Sequence, residues 1–418
     1  MSAWPRYLYS GLLTLVSPLA KKRLERERIN EFSERQRAGH VSPCKKEVIW
    51  AHCASVGEVL AAEPLLKQLQ DRHLDKQLVV TTMTASGAAQ VKQRLPEARH
   101  YLLPLDLPWN TDRFIHTLKP RLALIFETEI WPNLIHSCKK MQVPVMIANG
   151  RLSEKAFKSY CKIRPLVAEA LNKVELIAAK SEADAQRFIQ LGFPDERMQV
   201  TGSIKYDLQP PDDLQDQADA LRSSWGARPV WIAASTHEGE DKPLLEAHQQ
   251  LLETWPEALL LLVPRHPQRF DAVAGLIKEQ GLSFSRRSLQ QPVHRQTQVY
   301  LCDTLGEMLL FYATADIAFV AGSLEPIGGH NLLEPAALKT PIITGPHLKN
   351  FADIAELLRQ AAGLIEIQEA SELSGHLSQL LEDPEQGQQL TLAAFAVVQA
   401  NRGALEKQLQ LAESFLKD

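Results

Sequence analysis

Short apolar runs alternate with helical patterns through most of the chain. Within residues 47–206 the apolar runs are residues 48–52, 77–82, 99–105, 121–126, 143–148 and 175–179. Helical patterns fill most of the intervals. Apolar strands that alternate with helices are typical of a parallel sheet covered by helices on both faces. The pattern therefore predicts an α/β domain of Rossmann-like organisation over residues 47–206.

The same alternation returns after a segment rich in Pro and Asp, residues 207–224, which is predicted to be an interdomain linker. The later apolar runs are residues 229–235, 258–266, 297–303, 316–322 and 341–345. They predict a second domain of the same α/β class over residues 225–418. Helical patterns at 369–382 and 402–416 are expected to pack behind it, with a return of the last one to the first domain as the alternative.

The amino-terminal segment has a different pattern. Between Arg6 and Lys21 lie fourteen uncharged residues, and the larger apolar side chains among them share one helical face: Leu8, Leu12, Leu15, Val16 and Leu19. Crossing a bilayer takes about 20 apolar residues, so residues 1–20 are predicted to form an anchor helix lying in the membrane interface. A cleaved signal peptide is the alternative, opposed by the dense positive charge after the apolar run.

The charge distribution supports a membrane anchor at the amino terminus and argues against nucleic acid as a partner. Residues 1–46 hold ten Lys or Arg against four Glu, so the remaining 372 residues carry a net charge of −10. Residues 21–46 are predicted to be a basic tether at the cytoplasmic face, with the side chains nearest the helix against anionic headgroups: Lys21, Lys22, Arg23, Arg26 and Arg28. The acidic body predicts no nucleic-acid binding.

Cysteine and histidine spacing indicates no metal or disulfide framework. The five cysteines are scattered without a C-x-x-C pair, which is typical of a reduced compartment. The thirteen histidines include no H-E-x-x-H motif. We therefore expect no protein-bound metal and no cofactor. The sequence indicates no particular oligomeric state.

Polar residues follow three strands of the first predicted domain, where ligands of parallel sheets collect. Glu58 lies in the turn after the first strand. Glu127 and Glu129 follow the fourth, and on an extended segment both would point the same way. Lys205 follows the last strand region. Each has a structural alternative: Glu58 as a helix-start acid, Glu127 as an ion-pair partner and Lys205 as a solvated lysine.

The second domain carries a stronger pattern between Phe319 and Phe351. An apolar run breaks into a turn containing Gly328 and Gly329, and a predicted helix then carries His330, Asn331 and Glu334. A strand, a glycine turn and a helix start suit a nucleotide phosphate, and a carboxylate in the first helical turn can hold two ribose hydroxyls. The alternative is that Asn331 and Glu334 only form a capping-box-like helix start.

Other strand ends of this domain add polar and basic groups. One strand is followed by Ser235, Thr236, His237 and Glu238, and the next by Arg265 and His266. Arg265 supplies a permanent cation, and the turn at 304–306 precedes another helix start. Both features suit a phosphate that leaves during a reaction.

Taken together, these motifs resemble the 3-deoxy-D-manno-octulosonic acid (Kdo) transferases, glycosyltransferases of the GT-B fold. The matching segments span nearly the whole chain: SVGE (55–58), TTMT (81–84), ETEIWPN (127–133), VTGSIKYD (200–207), STHEGE (235–240), VPRHPQRF (263–270), DTLGEM (303–308) and GGHNLLEPAA (328–337). The resemblance implies two Rossmann-like domains facing a cleft. Leu332 or Leu333 stands where family members often have Pro, which affects fine positioning only.

The resemblance also implies transfer of Kdo from CMP-Kdo to lipid IVA, a lipid A precursor, at the cytoplasmic face of a Gram-negative inner membrane. It implies Glu58 as general base, with Glu127 and Lys205 stabilising the transition state. The residues that it implies for CMP binding are Arg265, His266, Gly306, Glu307, Met308, Asn331, Leu332, Leu333 and Glu334. A donor activated as a CMP ester can leave without a diphosphate-bound metal, and a single inverting displacement needs one base and positive groups at the phosphate.

Three other functions are compatible with part of the pattern. A GT-B enzyme that uses a UDP-sugar, or a sugar-nucleotide epimerase, would share the two sheets and Glu334 but would have no reason for a lipid anchor. A membrane-binding protein without catalytic activity would keep the anchor but would not need Glu58, Glu127 and Lys205 at strand ends.

Overall fold

The computed structural model describes residues 4–417, except for the side chains of Ala20, Lys21 and Arg23. These residues form two compact units: one comprises residues up to Asp207 together with the segment from Arg402, and the other comprises Leu208–Asn401. Residues 1–3 of the predicted anchor, and the predicted headgroup contacts of Lys21 and Arg23, lie outside the described residues.

The first unit is built on a seven-stranded sheet in which every strand pair is parallel. The strands are β1 (Glu47–His52), β2 (Lys76–Thr82), β3 (Arg99–Leu102), β4 (Pro120–Phe126), β5 (Val145–Gly150), β6 (Leu176–Ala179) and β7 (Met198–Val200). Their order is β3-β2-β1-β4-β5-β6-β7. The apolar runs are buried because helices cover both faces, as the alternating pattern predicted.

Helices of the first unit follow the strands in turn. They are α1 (Trp4–Leu24), α2 (Ser33–Arg37), α3 (Val56–Arg72), α4 (Ala85–Arg94), α5 (Pro108–Leu118), α6 (Pro132–Lys140), α7 (Glu154–Cys161), α8 (Arg164–Leu171) and α9 (Glu182–Leu191). On one face of the sheet the fully buried Trp50 packs edge-on against Phe114 of α5, with ring centroids 5.3 Å apart. On the other face, α3 buries Leu65, Leu66 and Leu69 against β1 and β4.

The predicted tether, residues 21–46, differs from the structure. Helix α1 continues to Leu24, and α2 then packs on the first unit. The buried guanidinium of Arg37 donates hydrogen bonds to the carbonyls of Met83 (2.6 Å) and Leu103 (3.0 Å), and Gln36 Oε1 accepts from the Leu102 N–H at 2.8 Å. These bonds replace water at both partners and make α2 part of the folded unit rather than a free linker.

The second unit contains another seven-stranded, all-parallel sheet. Its strands are β8 (Val230–Thr236), β9 (Leu259–Pro264), β10 (Phe284–Arg286), β11 (Val299–Leu301), β12 (Ile317–Val320), β13 (Ile342–Thr344) and β14 (Ile365–Glu366), in the order β10-β11-β9-β8-β12-β13-β14. The direction in which strands are added reverses at β8, between β9 and β12. Such a reversal leaves a crevice at the carboxyl ends of the strands.

The helices of the second unit include two that the sequence placed differently. They are α10 (Leu214–Ser223), α11 (Asp241–Thr254), α12 (Phe270–Glu279), α13 (Met308–Thr314), α14 (Leu333–Ala337), α15 (Ala352–Gln360), α16 (Leu373–Glu382) and α17 (Pro384–Asn401). Helix α10 lies inside the predicted linker 207–224 and buries Leu214 and Ala218 beside Leu310 of α13. Helix α14 begins only at Leu333, so His330 and Asn331 precede it instead of lying on it.

The last helix, α18 (Ala404–Ser414), belongs to the first unit, so the predicted boundary 225–418 is wrong at its carboxyl end. The fully buried Gln408 explains this return. Its Oε1 accepts a hydrogen bond from the Asn149 N–H (2.8 Å), and its Nε2 donates to Thr201 Oγ1 (3.0 Å). The alternative considered from the sequence, a return of the last helix to the first domain, is the correct one.

Candidate functional site

Glu58 lies at the start of α3, directly after strand β1. Ser55 caps this helix, and the Glu58 carboxylate accepts hydrogen bonds from the Ala54 N–H (2.7 Å) and the Ser55 hydroxyl (3.2 Å). Burial, together with the carboxylates of Glu129 and Glu127, raises the pKa of Glu58 to about 7, against the lowering effect of the hydrogen bond from the Ala54 N–H. The structural role proposed for this acid is therefore present, but it leaves a carboxyl group that titrates near neutral pH.

Glu127 follows β4 in a conformation that the sequence did not predict. Its φ angle is +58°, in the left-handed region that few residues other than Gly adopt. Its N–H still pairs with the Ala148 carbonyl of β5 at 3.0 Å, so the turn begins at the end of the sheet. The expected extended segment is wrong, because the backbone bends at Glu127. The carboxylates of Glu127 and Glu129 nevertheless both raise the pKa of Glu58. Backbone strain of this kind clusters at functional sites.

Glu129 is held by two neighbours in the same turn. The Trp131 indole Nε1 donates to its carboxylate at 2.8 Å, and Nε2 of the fully buried His52 lies 3.7 Å from Oε2. Burial acts to raise the pKa of Glu129, but the contacts with His52 and Trp131 outweigh it and hold this pKa below its usual range. An ionised Glu129 then disfavours a second negative charge on Glu58, so the pKa of Glu58 lies above that of Glu129.

Lys205 sits in a short 3-10 turn, Ile204–Tyr206, and its side chain is exposed. The turn is fixed from both sides. Asn149 Oδ1 accepts from the Ile204 N–H (3.3 Å), and the Asp207 carboxylate accepts from the N–H groups of Gly403 (2.6 Å) and Leu405 (2.8 Å) at the start of α18. The returning helix thus holds the loop that carries this cation.

In the second unit, three imidazoles gather near the carboxyl ends of β8 and β9. His237 Nε2 lies 2.9 Å from His330 Nε2, and the His266 ring meets His237 edge-on at 5.1 Å between centroids. Burial lowers the pKa of His237, and burial together with the His237 ring and the charge of Arg265 lowers that of His330 to about 4. Both rings are therefore neutral at pH 7, and one can donate its N–H to the other.

Glu334 and Asn331 form a pair at the start of α14. Asn331 Nδ2 donates to Glu334 Oε1 at 3.1 Å, and Asn331 Oδ1 accepts from the Leu333 N–H at 3.1 Å. Burial raises the pKa of Glu334, while Asn331 and the charge of Arg265 act in the opposite direction. Leu332 and Leu333 are buried and fix the turn from within. The capping-box alternative is wrong: the N-cap residue is Leu332, which makes no side-chain cap hydrogen bond, and Asn331 instead closes a short turn onto the Leu333 N–H.

The segment Gly306–Met308 forms the entry to α13. Gly306 has φ +88°, which suits a residue without a Cβ atom, and Glu307 occupies the cap position. The Glu307 carboxylate already binds the Arg287 guanidinium at 2.6 Å and the Thr304 hydroxyl. Its contribution to ligand binding is therefore expected from the backbone at Glu307 and Met308, while its side chain stiffens the turn.

Helix α1 carries its apolar face outward. Its polar face docks on α6 and α8, where Arg6 Nη1 and Ser10 Oγ both lie near Asn133 Oδ1 (3.1 and 3.0 Å) and Arg6 Nε lies 3.6 Å from the Glu169 carboxylate. The exposed side chains on the opposite face are Trp4, Tyr7, Leu8, Leu12, Leu15, Val16 and Leu19. In the described part of the chain, no helix combines the length and apolar character that a bilayer crossing requires.

Two acidic residues at these strand ends were missed as site candidates. The sequence indicates no role for Glu129 beside Glu127, because its partners His52 and Trp131 are not visible from spacing. Within STHEGE both Glu238 and Glu240 follow β8, and spacing does not distinguish them; in the structure Glu238 is exposed whereas Glu240 is fully buried. The burial of Glu240 is not visible in the sequence, and its place directly before the helix pattern of α11 is the one signal that could have identified it.

Comparison with known proteins decides the family. Residues 27–208 match a family model described as 3-deoxy-D-manno-octulosonic-acid transferase (kdotransferase). A 3-deoxy-D-manno-octulosonic acid transferase of Haemophilus influenzae is 42% identical over 98% of this chain and 95% of the relative. The chain belongs to the Kdo transferase family. A Kdo transferase of Bordetella pertussis is 36% identical over 91% of this chain and 90% of its own.

Solved structures of other proteins share the fold of this member of the Kdo transferase family. A UDP-GlcNAc 2-epimerase from Neisseria meningitidis matches with a TM-score of 0.58 over 87% of this chain and 99% of its own, at 13% identity. MurG from Acinetobacter baumannii matches with a TM-score of 0.53 over 88% and 99%, at 14% identity. Similarity at this identity shows the fold alone: two Rossmann-like parallel-sheet units of the GT-B class, as predicted.

Proposed function

We propose that this Kdo transferase moves Kdo from CMP-Kdo to lipid IVA by a single inverting displacement, with Glu58 as the general base. The observation that carries the proposal is the Glu58 carboxyl group itself. It lies in the first turn of α3, soon after β1, where burial and the carboxylates of Glu129 and Glu127 raise its pKa to about 7, and a base that works at neutral pH needs such a pKa. The relatives are named for the transferred sugar, which supports the choice of Kdo.

In the reaction, the Glu58 carboxylate takes the proton of the acceptor hydroxyl as its oxygen attacks the anomeric carbon of Kdo. The bond between that carbon and the phosphate of CMP breaks, and CMP leaves with the electron pair. Glu127 offers negative charge to the positive character that develops on the sugar, and Lys205 offers positive charge to the groups that become more negative. Groups fixed before the reaction stabilise such charges most effectively.

The second unit is the proposed nucleotide-binding unit. Arg265 and His266 follow β9 and offer a cation and an imidazole to the phosphate. Gly306, Glu307 and Met308 offer backbone N–H groups, and Glu334 offers a carboxylate oxygen to the ribose hydroxyls. Asn331, Leu332 and Leu333 shape the turn that carries Glu334. A CMP ester has a single phosphate, so we propose that the displacement proceeds without a protein-bound metal or cofactor.

Helix α1 is proposed to rest in the surface of the cytoplasmic face of the inner membrane, where a lipid acceptor lies. The support is its inverted arrangement, since the polar face docks on the protein and seven large apolar side chains face outward. Exposed basic residues lie in the last turn of the helix and just after it: Lys22, Arg26 and Arg28. Apolar burial combined with attraction to anionic headgroups is the usual basis of interfacial binding.

Incubation of the purified full chain with CMP-Kdo and lipid IVA tests this proposal. We expect release of CMP and a lipid product heavier by one Kdo residue, seen by mass spectrometry; repeated additions of the same mass would show how many sugars are transferred. A UDP-sugar offered as a matched control donor should give no product. Turnover with a UDP-sugar and none with CMP-Kdo would contradict the donor assignment.

A further inference from the structure

Glu240 is a fully buried acid whose carboxylate is surrounded by backbone N–H groups. Oε2 accepts from the N–H of His237 (2.9 Å) and of Gly322 (2.8 Å), and Oε1 accepts from the N–H of Ser323 (3.0 Å) and of Leu324 (3.1 Å). Hydrogen bonds to an ionised acceptor are roughly twice as strong as neutral ones. Four of them on one side chain make this carboxylate a rigid node.

The node joins two strand ends that are neighbours in the sheet and far apart in the chain. His237 follows β8, whereas Gly322 and Ser323 follow β12, and the two strands pair directly with Val320 opposite Ala234. This is the position at which the direction of strand addition reverses. Ligands of open α/β sheets bind at such a reversal, outside the carboxyl ends of the strands.

Gly322 connects Glu240 to the histidines, because its N–H binds Glu240 and its backbone packs against the His330 ring. It has φ +69°, and a Cβ atom on it would lie 2.7 Å from His330 Cδ2, so the backbone approaches the His330 ring as closely as glycine allows. The Gly322 carbonyl also accepts from the Gly329 N–H at 2.7 Å, which fixes the glycine turn before Asn331. Glu240 therefore controls both His237, through its N–H, and His330, through Gly322.

We propose that Glu240 is a positioning residue for nucleotide binding: its carboxylate holds the ends of β8 and β12 in the register that brings His237 and His330 together beside Arg265 and sets the turn leading to Glu334. This inference rests on the proposed function, because it takes the second unit as the nucleotide-binding unit. It adds a residue whose effect on CMP is exerted through other groups rather than through contact.

The test compares Glu240→Gln with Glu238→Gln in the full chain. Gln keeps the size of the side chain but turns an N–H₂ group toward backbone N–H donors, so it cannot accept all four hydrogen bonds. Glu238 is exposed and only two residues away, which makes its replacement a matched control. Affinity for CMP is measured by titration calorimetry, well below the unfolding temperature of every variant, with the folded fraction measured by circular dichroism.

We expect Glu240→Gln to weaken CMP binding about 10- to 100-fold, because small displacements of binding groups have effects of that size. Glu238→Gln should bind CMP as the unchanged chain does. In the Glu240→Gln variant, imidazole nitrogen NMR should also show loss of the His237–His330 hydrogen bond, a readout that needs no ligand. A purely structural role would lower only the folded fraction.

Three outcomes would overturn the inference: CMP affinity unchanged in Glu240→Gln, affinity lost only in proportion to the unfolded fraction, or an intact His237–His330 signal. If Glu240→Gln does not fold, Glu240→Asp decides the matter. Its carboxylate is one methylene shorter and cannot serve both strand ends, so unchanged affinity would again contradict the proposal. Failure of the unchanged chain to bind CMP would instead contradict the proposed function, and the NMR readout would still test the role of Glu240.

Discussion

Replacing Glu58 with Gln is expected to lower the rate of Kdo transfer by about 10²- to 10⁴-fold, the range that a general base contributes. Gln has nearly the same shape and can still accept the hydrogen bond from the Ala54 N–H, so α3 should keep its start. What Gln cannot do is take the proton of the acceptor hydroxyl. Steady-state kinetics with CMP-Kdo and lipid IVA measures the effect as a fall in kcat.

Glu63→Gln is the matched control. Glu63 lies on the same helix and pairs with Lys67 at 2.7 Å, a surface ion pair of small energetic value. Its replacement should change the transfer rate by no more than about twofold, because an exposed ion pair contributes little free energy. CMP affinity should be unchanged in both variants. If Glu58→Gln lowered the unfolding temperature but transferred Kdo at nearly the original rate, Glu58 would be a helix-start acid and not the base.

The second large effect is expected from the outward face of α1. The double substitution Leu12→Glu and Leu15→Glu should weaken binding to vesicles of anionic phospholipid about 100-fold. Both side chains are well exposed in the structure, so the fold should tolerate the change. Burying one leucine contributes about 1.5–3 kcal/mol, so even partial insertion of two accounts for that factor. Vesicle sedimentation measures the bound fraction.

Leu392→Glu serves as the control for this experiment. Leu392 is also an exposed leucine on a helix, α17, but it belongs to the second unit and is not part of the apolar face of α1. Its substitution should leave vesicle binding unchanged. High salt should weaken the binding of the unchanged chain, because the basic residues after the helix are screened. Vesicle binding by the double variant equal to that of the control would contradict the interfacial role of α1.

The sequence predicted the two sheets well because their central strands are continuous apolar runs buried on both faces. It missed β10 and β14, which have three and two residues, since runs so short give no periodic signal. It also assigned residues after Arg402 to the second unit. That error arose because α18 is held by Gln408, a polar residue whose partners Asn149 and Thr201 lie more than 200 residues away in the chain.

The candidate site was predicted only as far as strand ends reveal it. Glu58 and Glu127 follow apolar runs, and Lys205 lies in the last strand region of the domain, so the strand pattern alone predicted all three at the carboxyl edge of the first sheet. The left-handed bend at Glu127 was not predictable, because residues in this conformation are usually Gly or Asn. Glu240 escaped notice for a related reason: its partners are backbone N–H groups, which every sequence contains, brought together by the pairing of β8 with β12.

The pH dependence of Kdo transfer most directly tests whether the Glu58 carboxylate takes the acceptor proton. The base acts in its ionised form, and burial raises the pKa of Glu58 to about 7. We therefore expect kcat/KM for CMP-Kdo at saturating acceptor to be constant well above pH 7 and to fall about tenfold for each pH unit below it. If kcat/KM stayed constant from pH 8 down to about pH 5, the base would have the pKa of an ordinary Glu, and the account would be contradicted.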